Sequence, residues 1–176
     1  CVIGFTFRTY SQPFLLLLLI PFSLTTVAWG HLVHGFPVNV ISLLGVIALV
    51  GILVNDGLVL ISKFNSNLRA GKSYDESLFG AGKERFRAIF LTSITTMAGL
   101  APIIFEKSFQ AQLLKPMAIS IAYGIGYATF LTLILLPILL SLTNTFKLNF
   151  VWLRSGKKLD KREVEAPVIE LKREKK

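Results

Sequence analysis

Sulfur chemistry is nearly absent from this chain. Cys1 is its one cysteine, so no disulfide can form within it. Histidine is equally scarce. His31 and His34 stand together in the turn between two apolar runs, and with no carboxylate nearby they make a poor metal site. An ordinary interfacial role is expected of both. No phosphate-cradling glycine loop, metal-protease helix or Ser/His/Asp arrangement occurs. No enzyme is expected, and no bound metal or cofactor.

Charge is missing over long stretches. Phe14 to Gly30, Val38 to Ile61 and Ala88 to Phe105 run 17 to 24 residues almost without it, and the 26 residues from Met117 to Leu142 carry none. Each is close to the roughly 20 residues that cross about 30 Å of hydrocarbon. With 53% hydrophobic residues and a mean hydropathy of +0.63, the chain reads as an all-α polytopic membrane protein with four transmembrane helices. Arg8 before "FLLLLLIPF" resembles a secretory signal, but the apolar run continues to Trp29 and no small-x-small cleavage site follows. The opening residues 1–7 are apolar, lack an initiator methionine and suit the last turns of an earlier helix. The chain reads as a piece of a longer protein.

The net charge of +9 is distributed by topology. Arg8 precedes span one; Lys63, Arg69, Lys72, Lys83, Arg85 and Arg87 lie between spans two and three; ten more basic residues follow span four. The two alternate segments hold only Lys107 and Lys115. Seventeen against two is the positive-inside asymmetry, and it places the 63–87 loop and the C-terminus in the cytoplasm. Lipid head groups, not nucleic acid, are the expected anionic partner. The tail from Ser155 to Lys176 mixes both signs and reads as a solvated extension with a marginal helix after Pro167. Ser73 and Glu76 have capping-box spacing, which predicts a short helix from about Tyr74 with Leu78 and Phe79 toward the membrane face.

Against this apolar background Asp56 stands out. It lies seven residues before Lys63, about 10 Å inside the boundary. A charged Asp at a helix centre costs about 2.5–3.5 kcal/mol on insertion scales, so such residues face a protein interior or a wet cavity. Asn55 points about 100° away around the helix, so partners must come from other helices. Thr92, Thr95, Thr96 and Gly99 line one face of span three, able to pack closely on a neighbour and hydrogen-bond across it. The alternative is that these hydroxyls bond their own i−4 carbonyls. Ser120 with Gly124, and Ala122 with Gly126, are small-residue pairs for helix packing. Pro21 and Pro137 are expected to bend their helices.

Taken together, an FR-x-Y-x-QP entry, an IPF helix, G-x-x-VND-x-LVL, R-x-I-x-LTS-x-TT-x-x-G-x-x-P and a proline-preceded last helix resemble the final membrane block of resistance-nodulation-division (RND) efflux permeases over roughly residues 1–145. The resemblance implies twelve spans in two pseudo-repeated halves. Residues 1–7 would end span eight, 10–34 would be span nine and 37–63 span ten. Residues 64–86 would form a cytoplasmic loop with a short amphipathic helix, 87–106 span eleven, and 107–115 a periplasmic loop. Span twelve would occupy 116–144, with a basic cytoplasmic tail over 145–176. It further implies a homotrimer in the inner (plasma) membrane of a Gram-negative bacterium. A periplasmic adaptor and an outer-membrane channel would be its partners, with the rest of the same permease, and inward proton flow would drive export of small hydrophobic or amphiphilic compounds. The family's coupling lysine falls on Asn55, its span-eleven threonine on Thr92 and a cytoplasmic arginine on Arg85. Here the cation is lost and a carboxylate appears at Asp56 instead, which leaves a carboxylate and hydroxyl network of Asp56, Asn55 and Thr92 as the expected proton relay in place of lysine-based salt-bridge exchange. A membrane scaffold whose polar residues only lock helices, and an exporter of metal ions or lipids, are the alternatives.

Overall fold

The computed structural model describes residues 11–155, 161, 163–165 and 167–169. The expected helix end at 1–7, Arg8 and much of the basic tail lie outside the described residues. Every regular element described is helical: α1 Ser11–His34, α2 Val40–Arg69, α3 Tyr74–Phe105, α4 Phe109–Phe130, a π-helical turn Leu131–Leu135, and α5 Leu136–Ser155. Four helical stretches, with α4, the turn and α5 counted as one, are long and apolar enough to cross a membrane. The expected fold class is the one found.

The helix ends are written in local polar chemistry. Asn39 caps α2 in a reciprocal box with Ser42, accepting from its backbone N–H at 2.9 Å and donating its own to Ser42 Oγ at 2.7 Å. Ser73 and Glu76 form the expected box, at 3.2 and 3.3 Å. The helix they start does not stop after a few turns, however. It runs unbroken for 32 residues to Phe105, about 48 Å. The segment expected as a loop with its own short helix is thus the end of α2, a turn closed by Gly71 at φ +94°, and the foot of α3. Likewise α4 starts at Phe109, inside the expected periplasmic loop, capped by Ser108. Once a capped helix is in progress, nothing in these stretches breaks it.

Pro137 acts one turn upstream of itself. It has no N–H to give Leu133, its i−4 carbonyl, and a wide turn precedes it in which the Leu136 N–H reaches Leu131 O. The strain of an interior proline is taken up as this five-residue π turn.

α4 is the hub, packing on α2, α1 and α3. Small residues permit the approach. A Cβ on Gly45 of α2 would stand 2.7 Å from the Met117 carbonyl oxygen and 2.9 Å from Ser120 Cβ. One on Gly124 would collide with Leu49. The Ser120–Gly124 pair therefore does pack a helix closely. Leu16, Leu19, Leu49, Leu53, Leu60, Phe64 and Ile125 fill the core.

The described part of the tail is not simply solvated. Glu165 and Val168 are buried. Asn144 of α5 donates to the Lys161 carbonyl and to Glu165 Oε1, both at 2.8 Å, and Lys147 Nζ lies 3.4 Å from Glu165 Oε2. Glu165, one of the charges that suggest solvation, is held by partners on α5 instead.

Candidate functional site

Asp56 lies on the side of α2 that meets α3. Lys63 and Asn67, seven and eleven residues further on, share its face. Both reach α3: Lys63 Nζ pairs with Glu84 at 2.6 Å, and Asn67 Nδ2 donates to the Ser77 carbonyl at 3.4 Å. From Glu84, the same ridge of α3 continues as Ala88, Thr92, Thr95 and Gly99. The two helices are thus tied together at one end, and the faces that continue from the tie carry the polar residues singled out by sequence.

Those faces are uncovered. Asn55, Thr92, Thr95 and Gly99 are exposed, and Asp56 and Thr96 are half-buried. A Cβ added to Gly51 or Gly99 would meet nothing within 4 Å. Among the described residues neither Asn55 nor Asp56 has a hydrogen-bond or ion-pair partner. The threonine hydroxyls turn back on their own helix: Thr92 donates to Ala88 O at 2.8 Å, Thr95 to Leu91 O at 2.9 Å and Thr96 to Thr92 O at 2.8 Å. Helical register puts Asp56 and the threonines on the faces that continue from the tie, but the structure does not bond them to each other. Arg85 sits half-buried one residue past Glu84.

The polar pairs that do join helices are others. Ser93, one residue past Thr92 and so about 100° around the helix, is buried and meets the Thr129 hydroxyl of α4. Gln12 of α1 and Asn65 of α2 exchange two amide hydrogen bonds, each 3.0 Å, both residues buried. His31 is packed inside the bundle. It is 3% exposed, and its ring nitrogens contact Ser120 Oγ at 2.9 Å and the Phe36 carbonyl at 3.2 Å. His34 meets the Tyr123 hydroxyl at 3.1 Å. One signal was available for Ser93. It falls in register with Ile89, Met97 and Leu100, a polar residue on the apolar stripe of its helix. Nothing comparable marks Gln12 or His31.

Chemically, the uncovered faces offer one group that can take up and release a proton, Asp56, beside an amide and a row of hydroxyls. A second polar surface laid on them would complete the hydrogen bonding that this chain leaves open.

The family model described as the AcrB/AcrD/AcrF family matches residues 1–144. The chain is similar to the swarming motility protein SwrC of Bacillus subtilis (strain 168), 29% identical over 147 residues, which are 83% of this chain and 14% of that protein. It is similar to the multidrug resistance protein MdtC of Serratia proteamaculans (strain 568), 26% identical over 160 residues, 90% of this chain and 15% of the relative. The cobalt-zinc-cadmium resistance protein CzcA of Cupriavidus metallidurans is 31% identical over 125 residues, 71% of this chain and 12% of its own length. The chain thus spans about a seventh to an eighth of the length of these relatives.

Proposed function

Because the chain belongs to the AcrB/AcrD/AcrF family of RND efflux transporters, we propose that it is the C-terminal membrane block of a proton-driven exporter in which Asp56 carries the proton. Asn55 and Thr92 orient the network, Thr95, Thr96 and Gly99 form the surface on which the other half of the permease packs, and Arg85 lies on the cytoplasmic proton path. The observation that carries this reading is the pair of uncovered polar faces on α2 and α3. An apolar lipid environment is a costly neighbour for Asn55 and Asp56, whereas carboxylates on a facing helix would share protons and hydrogen bonds with them. Each proton descending about 100 mV supplies about 2.3 kcal/mol, enough to bias a conformational change of a few kcal/mol. The full permease would work as a homotrimer in the inner membrane with a periplasmic adaptor and an outer-membrane channel.

Substrate class divides between two readings. Small hydrophobic or amphiphilic compounds are the first, as for the relative named for multidrug resistance. Metal ions are the second, favoured by the higher identity to the cobalt-zinc-cadmium resistance protein. Parallel export assays with an amphiphilic dye and with cobalt, in vesicles holding the full-length permease, separate them. The test of the relay is Asp56→Asn beside Asp56→Leu. Loss of export in both, at normal expression and trimer content, is expected. Undiminished proton-dependent export by Asp56→Asn, with instability of Asp56→Leu alone, would reduce Asp56 to a structural residue and favour the scaffold reading.

A further inference from the structure

The first turns of α3 and the segment 131–141 do not close on each other. A cleft of about 580 Å³ separates them, walled by Leu78, Phe79 and Lys83 on one side and by Ile134, Pro137 and Ile138 on the other. One wall contains the π turn, and the other contains Gly82, beside which a Cβ would meet nothing within 4 Å. What reaches both walls is the tail. On the α5 side Glu165 is 3% exposed and held through both carboxylate oxygens by Asn144 and Lys147. On the α3 side Lys161 Nζ lies 3.4 Å from Asp75, a residue of the cleft rim, with both side chains more than half exposed. Val168 joins the core cluster that contains Tyr74 and Leu78 of α3.

We propose that the described tail residues 161, 163–165 and 167–169 form a strap, anchored on α5 and latched on the foot of α3, that restrains α3 relative to α5 across this cleft. The two attachments differ in kind. The anchor is a buried carboxylate with an amide and an ammonium, and removing one partner leaves a buried group uncompensated. The latch is an exposed ion pair, which solvent screens and which opens readily. A strap with one firm and one weak end holds a position and yields. The foot of α3 is itself incompletely satisfied, because the Tyr74 and Ser77 hydroxyls are buried without a hydrogen-bond partner among the described residues. Such a junction is suited to a second arrangement. Asp75 and Thr92 ride on one continuous helix, so displacing the foot displaces the hydroxyl row. These strap residues lie beyond the stretch that the family model matches. As a control on coupling, the strap rests on the proposed proton-driven function; as a contact, it does not.

The test uses the full-length permease with its native cysteines replaced by serine, Cys1 among them, as background and Asp75→Cys with Lys161→Cys. A reducible bifunctional methanethiosulfonate reagent spans the pair. Expected are efficient cross-linking, amide exchange in residues 74–92 slowed by about threefold or more, and slower export of dye or cobalt, all reversed by reductant. Adding Glu165→Ala is expected to lower the cross-link yield and speed exchange in the same residues without loss of trimer. Glu165→Gln, which keeps the acceptor for Asn144, should fall between. Failure to cross-link in the trimeric protein, or exchange unchanged by the link, overturns the strap. Slowed exchange with export unaltered keeps the strap as a contact and overturns its control of coupling. None of these results depends on Asp56, whose own substitution decides the proton reading.

Discussion

Replacing Gln12 with Met tests how α1 is held to α2. Gln12 and Asn65 exchange two hydrogen bonds of 3.0 Å, and their residues are 2% and 7% exposed. Methionine keeps the length of the side chain and removes both of its polar atoms. The Asn65 carbonyl oxygen and one amide hydrogen then lose their partners in a place water barely reaches. An orphaned buried group costs about 1–3 kcal/mol, so the single substitution should destabilise by roughly 2–4 kcal/mol, with the lower end favoured if Asn65 turns toward solvent. Asn65→Leu should cost a similar amount, for the mirror-image reason. The double variant removes the orphan along with the bond, and apolar replacement of both partners is close to neutral. A double-mutant cycle should therefore return a coupling of about 2 kcal/mol or more. The assay is reversible unfolding of the full-length protein in detergent or bilayer, read as the midpoint shift of both singles and the double. Additive costs, with the double as unstable as the sum of the singles, would refute the claim that this amide pair holds the helices.

Two further substitutions probe packing and helix initiation. Gly45→Ala puts a methyl 2.7 Å from the Met117 carbonyl oxygen, a backbone atom that cannot rotate away. A loss of about 1–3 kcal/mol is expected in the same unfolding assay. Ser73→Ala removes the α3 cap, with an expected cost of about 1 kcal/mol and faster amide exchange confined to residues 74–77. Unchanged exchange there would mean the box seen at Ser73 and Glu76 does not hold the helix start.

Several features of this protein follow from properties that run along the chain. Uncharged runs of bilayer length are a one-dimensional signal, and they are why the number of spanning helices is readable before any fold is known. Caps are equally local: Ser73 and Glu76 are three residues apart, and their bonds form whatever the rest of the molecule does. The extent of the helices was less legible. Polar stretches such as 74–86 resemble a loop in composition, yet helix geometry tolerates them, and only a breaker would have ended α3 near the expected boundary.

Pairing is where sequence stops and tertiary structure decides. Thr92 and Ser93 are neighbours with the same hydroxyl chemistry, but a rotation of about 100° sends one to the uncovered face and the other into contact with Thr129. Gln12 finds Asn65 across 53 positions and His31 finds Ser120 across 89. No periodicity encodes such distances, because they depend on which helix lies beside which and at what rotation. Glu165 was charged, late and apparently solvated until α5 supplied Asn144 and Lys147. The sequence by itself determined how many helices are long and apolar enough to cross a membrane; the packing of those helices chose which polar residues lock the bundle and which, like Asn55 and Thr92, it leaves exposed.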